Sequence, residues 1–147
     1  MELILWRHAD AENGTPDEER KLTKRGLKQA ERMARWLRKR LPDDAAVLVS
    51  PARRARETAD ALGVQLEVVP DLGTSADARA VLKAAGWPDR KGTVVVVGHQ
   101  PTLGQTAALV LTGKDAGWSI KKGAIWWFES RERGDVIVRA VIAPDLL

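Results

Sequence analysis

The stretch Thr93-Val94-Val95-Val96-Val97-Gly98-His99-Gln100-Pro101 decides how this chain folds. Four consecutive valines follow a threonine, with no polar residue alternating between them. A strand open to water on one face would show that alternation. An unbroken β-branched run belongs in a parallel sheet covered on both faces. Gly98 to Pro101 then turns the chain into a helix expected over residues 102–112. Strand, short polar turn and helix form the repeating unit of an α/β domain.

The same unit recurs on both sides of this stretch. Leu3 to Trp6 is a short apolar run that ends on Arg7-His8. After a turn-rich loop from Asn13 to Glu19, Thr23 is the expected N-cap of a helix. Leu27, Ala30, Ala34, Leu37 and Leu41 follow at spacings of three and four, and Pro42 ends the pattern. Ala45 to Val49 reads as the next strand. Ser50-Pro51 reads as a cap followed by proline at the first helical position, opening a helix to about Leu62. Leu66 to Val69 is a third strand, and Ala76 to Ala85 a helix ending at Gly86. Beyond residue 112, Ala124 to Phe128 and Val136 to Ile142 are strands, with Arg131 to Asp135 as the connection of an antiparallel edge hairpin. The expected architecture is a three-layer α/β/α domain with a mostly parallel central sheet. Residues 1–147 contain no linker and no repeat, so one domain is expected.

Composition narrows the function. There is no cysteine, hence no disulfide framework and no thiolate metal site. Glu2 and Arg7 break the pattern of a secretory leader, and no apolar run reaches membrane-spanning length. A cytoplasmic location is expected, with no membrane partner. The 24 basic residues exceed the 20 acidic ones, and much of that excess lies in Lys24 to Arg40, where eight Lys/Arg face only Glu31. A solvated helix face accounts for this run. A docking surface for an acidic protein is the sharper reading. Nucleic acid ranks third, because no recognition motif or interleaved aromatic accompanies the charge. Trp126-Trp127, on a late strand, is expected to place one ring in the core and leave the other partly exposed, and the oligomeric state stays open.

In such sheets ligands bind beyond the carboxyl ends of the strands. Three unusual clusters fall there: Arg7-His8, Ser50 to Arg54, and Gly98-His99. They include the only two histidines in the chain. Arginine in a first helical turn opposes the helix dipole, which favours anions. The conflict disappears if an anion sits between the two, as phosphate does at helix N-termini and in guanidinium forks. A neutral imidazole beside arginines can attack phosphorus, and the arginines would disfavour its protonation. His8, Asp10 and Glu12 alternate, a spacing that would suit three metal ligands on one extended segment, but Arg7 beside them argues against a cation. Neither a metal nor another cofactor is expected, and no glycine-rich nucleotide loop is present.

These residues resemble the histidine phosphatase superfamily, of phosphoglycerate-mutase-like fold, and within it the SixA-type phosphohistidine phosphatase branch. The similar segments are Leu5-Trp6-Arg7-His8-Ala9-Asp10-Ala11-Glu12, Arg20 to Gly26, Ser50 to Ala59, and Val97 to Pro101. The resemblance implies that His8 is the nucleophile and that Arg7, Arg54 and His99 complete the phosphate pocket. It places Arg20 at the pocket mouth as a substrate-binding candidate. Ala9 stands where the wider superfamily has glycine, as it also does in the SixA-like branch. The general-acid glutamate of the superfamily's mutases has no clear counterpart, which leaves Asp71 or Asp77 as candidate acids. A phosphorylated imidazole needs less help to leave than an alkoxide. The resemblance therefore favours a metal-independent phosphatase acting on phosphohistidine of a partner protein, such as a phosphotransfer domain. The alternative is a phosphomonoesterase of a small metabolite, and a phospho-ligand binding module ranks third.

Overall fold

A computed structural model describes all residues 1–147. Its strands are β1 (Glu2–Arg7), β2 (Ala46–Val49), β3 (Glu67–Val68), β4 (Thr93–Gly98), β5 (Ile125–Ser130) and β6 (Val136–Ile142). Its helices are α1 (Lys24–Arg38), α2 (Arg53–Asp60), α3 (Ala78–Ala85) and α4 (Thr102–Thr112). One sheet runs in the order β3-β2-β4-β1-β5-β6. The first four of these strands are parallel, while β5 runs antiparallel to β1, and β6 to β5.

The valine run is the middle of the molecule, with every residue of β4 buried. Side chains on a strand alternate between faces, and the two faces have different covers. Val94, Val96, Leu3 and Leu5 pack with Val81, Ala85, Leu103 and Ala107 of α3 and α4. Val95, Val97, Ile4 and Trp6 pack with Met33, Leu37, Ala55 and Ala59 of α1 and α2. This double cover is why β4 and β1 are apolar without alternation. The late tryptophans divide as expected. Trp127 is buried under α1, edge-on to Trp36 with ring centroids 6.1 Å apart. Trp126 is half-buried on the other face beside Trp118.

Several element ends shift by one to three residues from the sequence reading, the start of the second helix and the extent of the third strand among them. Helix α2 begins at Arg53 rather than at Ser50-Pro51, and Ala52 stands at its N-cap without a side-chain bond. The Ser50 hydroxyl is paired with the His99 ring instead. The third strand shrinks to Glu67–Val68, both exposed at the sheet edge with one neighbour, so little holds a longer ladder there. Thr23 does cap α1, accepting from the Gly26 N–H at 2.9 Å. Gly26 is required by close approach: a Cβ there would lie 2.0 Å from the Asp10 carbonyl oxygen. The first turn of α1 thus rests on backbone two residues beyond His8.

Candidate active site

Strands β2, β4 and β1 are neighbours and parallel, so their carboxyl ends form one row. The residues that follow them are Ser50, His99 and His8. Extra backbone bonds extend the ladder to these positions: the N–H of Ser50 donates to Val97 O at 3.1 Å, and that of His8 to Gly98 O at 3.0 Å. Both histidines are buried, and their ring centroids lie 5.3 Å apart.

His8 Nδ1 lies 2.8 Å from the Ala9 carbonyl oxygen. A carbonyl only accepts, so Nδ1 carries the proton and Nε2 keeps its lone pair. No protein group hydrogen bonds to that Nε2. The backbone that presents the ring is itself anchored: the Ala9 N–H donates to Thr58 Oγ1 at 3.0 Å, and the Thr58 hydroxyl donates to Arg54 O at 2.8 Å. Thr58 thereby locks the loop after the histidine onto α2.

His99 Nε2 is paired with Ser50 Oγ at 2.7 Å, and Ser50 Oγ also accepts the Ala52 N–H at 3.2 Å. With the serine hydroxyl donating to Nε2, the ring proton sits on Nδ1. That Nδ1 is buried and has no partner. The same holds for Arg7 Nε and Arg54 Nε. Arg7 is otherwise fixed by Nη1 donating to Ile120 O at 2.7 Å. Arg54 donates through Nη1 to Asp17 O at 2.8 Å and through Nη2 to Asp17 Oδ2 at 3.1 Å. Buried donors without acceptors are rare and costly in a native structure. Only four buried side-chain polar atoms in the chain are orphaned, and three of them belong to this cluster. Such a set of N–H groups has the chemistry to hold an oxyanion.

The electrostatics suit nucleophilic attack. The pKa of His8 is pushed down to about 3, first by burial and then by the nearby His99, Arg54 and Arg7, against the Ala9 hydrogen bond. That of His99 falls to about 4, again first by burial, then by Arg54. The sequence reading credited the arginines with keeping His8 neutral. They contribute, but exclusion from water is the larger cause.

Other expected positions are distributed as follows. Arg20 reaches the cluster through Asp17, donating from Nε to Asp17 Oδ1 at 3.0 Å and from Nη1 to Glu12 O at 3.2 Å. Asp10 is committed to Lys122 at 2.9 Å and to the Thr23 hydroxyl at 2.8 Å, and no three His, Cys, Asp or Glu side chains converge anywhere in the chain. The alternation of His8, Asp10 and Glu12 therefore builds no metal cradle. Asp77 caps α3 by accepting the Ala80 N–H at 2.8 Å, while Asp71 lies exposed in the 3-10 turn Pro70–Leu72. Neither histidine bonds a carboxylate. Ser50, Thr58 and Asp17 acquire site roles that sequence reading did not assign. The only hint was that Ser50 and Thr58 lie in the same motif as Arg54.

The histidine phosphatase superfamily (branch 1) model matches residues 3–79. The phosphohistidine phosphatase SixA of Escherichia coli is 31% identical over 123 residues, covering 78% of this chain and 76% of that protein. An uncharacterized protein of Mycobacterium tuberculosis is 34% identical over 116 residues, covering 75% and 73%. Among solved structures, the protein histidine phosphatase SixA complexed with tungstate superposes with a TM-score of 0.85 at 26% identity, covering 99% of both chains. A phosphoserine phosphatase from Entamoeba histolytica shares the fold, with a TM-score of 0.74 at 16% identity and coverage of 97% and 96%. No helix is long and apolar enough to cross a membrane.

Proposed function

The chain belongs to the histidine phosphatase superfamily, and we propose that it removes the phosphoryl group from phosphohistidine on a partner protein through a phospho-His8 intermediate. The observation that carries this reading is the set of three orphaned buried donors, Arg7 Nε, Arg54 Nε and His99 Nδ1, gathered about a histidine whose Nε2 is free. The likeness to SixA, a phosphohistidine phosphatase solved with tungstate, supports the choice of donor.

In the first step His8 Nε2 forms a bond to phosphorus in line with the departing group. The donor's P–N bond breaks, and its electron pair stays on the leaving imidazole. Charge on the three equatorial oxygens is met by the guanidinium and imidazole N–H groups. His8 keeps its proton on Nδ1, bonded to Ala9 O, throughout. The phosphorylated ring is therefore cationic, and it departs as neutral imidazole when water attacks phosphorus in the second step. Neither half needs a proton moved at His8. A donor phosphohistidine protonated on its other ring nitrogen leaves neutral in the same way. The absence of a carboxylate bonded to either histidine suits this donor better than an ester, whose alkoxide must be protonated.

The test is to trap the intermediate. Brief reaction with a [32P]phosphohistidine phosphotransfer domain should leave acid-labile, base-stable label on the wild-type enzyme and none on His8→Ala. Full turnover by His8→Ala overturns the mechanism. A higher kcat/KM for small phosphate esters than for the phosphoprotein, lost in Asp77→Asn or Asp71→Asn, would assign the enzyme to metabolites instead.

A further inference from the structure

Asp17 is an anion inside a site built for anions. It sits on the 3-10 turn Asp17–Glu19, in a loop that carries none of the superfamily-like motifs. Its carbonyl and one carboxylate oxygen hold one edge of the Arg54 guanidinium, and its other carboxylate oxygen holds Arg20 Nε. Arg54 is nearly inaccessible, whereas the Asp17 side chain is 56% exposed. Partial desolvation raises the Asp17 pKa, but the hydrogen bonds and charges of Arg54 and Arg20 outweigh it and hold the carboxyl below its usual range. The carboxylate is thus charged at neutral pH.

Its two contacts with Arg54 do different things. The main-chain carbonyl orients the guanidinium and would survive any substitution at residue 17. The carboxylate adds a full negative charge beside the edge of the pocket. We propose that Asp17 is a built-in counter-ion that lowers the affinity of the phosphoryl pocket for anions and so speeds release of the phosphate product. A pocket lined by Arg7, Arg54 and a buried imidazole, and approached by Arg20, would otherwise hold phosphate tightly and stall after each turnover. Tight binding of product and transition state alike gains nothing in rate. An opposing charge that is already paired with the arginines discounts both, and its exposure lets it swing toward water as a dianion enters.

This inference rests on the phosphoryl-pocket reading, and direct binding keeps the two apart. The dissociation constant of inorganic phosphate is measured by calorimetry at pH 7.5 for wild type, Arg54→Ala, Asp17→Asn and Asp17→Ala. Asparagine keeps an oxygen that can accept from Arg54 Nη2 and removes only the charge. Asp17→Asn should bind phosphate roughly three- to tenfold more tightly, the range expected for one partly solvated charge near the ligand. Its steady-state kcat should fall relative to the rate of the single-turnover step. Asp17→Ala should also tighten binding, though less, because Arg54 loses a tether. If both variants bind phosphate equally or more weakly while Arg54→Ala loses binding, Asp17 merely orients Arg54 and the proposal fails. If wild type and Arg54→Ala bind phosphate alike, the pocket reading itself fails. Unchanged thermal unfolding of Asp17→Asn certifies that the comparison is between folded proteins.

Discussion

Two buried neutral histidines should make the stability of this protein fall on mild acidification. In the unfolded chain each imidazole has its ordinary pKa of about 6.5. In the native state His8 lies at about 3 and His99 at about 4. Between those values and 6.5 the unfolded state binds more protons, so stability rises with pH across that window. The penalty is absent above pH 7, grows as pH falls through 6.5, and is complete near pH 3. At pH 5 each unfolded imidazole is almost fully protonated and each native one almost fully neutral. The loss is then about 2 kcal/mol per histidine, or about 4 kcal/mol for the pair, against a typical total of about 5–15 kcal/mol. Asp10 and Asp17, whose pKa values are lowered, have the same sign of effect, but theirs begins lower, as pH falls through the ordinary carboxylate range. The assay is urea unfolding at pH 7.5 and 5.0, comparing wild type with the His8→Gln/His99→Asn double variant. Wild type should lose about 4 kcal/mol more than the variant over this interval. NMR of the two imidazoles gives an independent readout, with ring-proton shifts flat from pH 8 to 5. A histidine titrating near 6.5, or equal pH slopes for wild type and variant, would refute the claim that both rings are held neutral by burial.

Two further outcomes follow from the geometry. Ser50→Ala removes the partner of both His99 Nε2 and the Ala52 N–H and frees the ring's tautomer, and should lower kcat/KM roughly tenfold and stability by about 1–3 kcal/mol; unchanged kinetics would show that the tautomer needs no serine. The exposed Lys24 and Lys28 lie in the first turns of α1, which rests on the backbone after His8. Reversing both charges should raise KM for an acidic phosphoprotein roughly three- to tenfold and leave a small phosphoramidate unaffected; equal effects on both substrates would place the charges in the pocket's field rather than at a docking surface.

Much of the architecture could be read directly. The valine run and Leu3 to Trp6 are apolar because helices cover both sheet faces, and that cause leaves an unambiguous trace in composition. The ends of those strands were legible for the same reason, which put Arg7-His8 and His99 at one rim. The short third strand was not legible. Its extent depends on having a single edge neighbour, which leaves no local mark in Leu66 to Val69. Ser50 was misread as a helix cap, because a serine before proline has the same sequence signature whether its hydroxyl turns to its own helix or to a histidine 49 residues away.

The layer order, the double cover of the central strands, and the gathering of arginine and histidine at one rim were legible in the chain's own pattern, because periodicity and residue chemistry are local properties. Which donors are left unsatisfied, which ring nitrogen of His8 is free, and that burial more than charge holds both histidines neutral emerge only from the packed molecule. It also placed Asp17 against Arg54, 37 residues away in the chain. Those properties depend on distances and on exclusion of water, and both arise only when β2, β4 and β1 stand side by side.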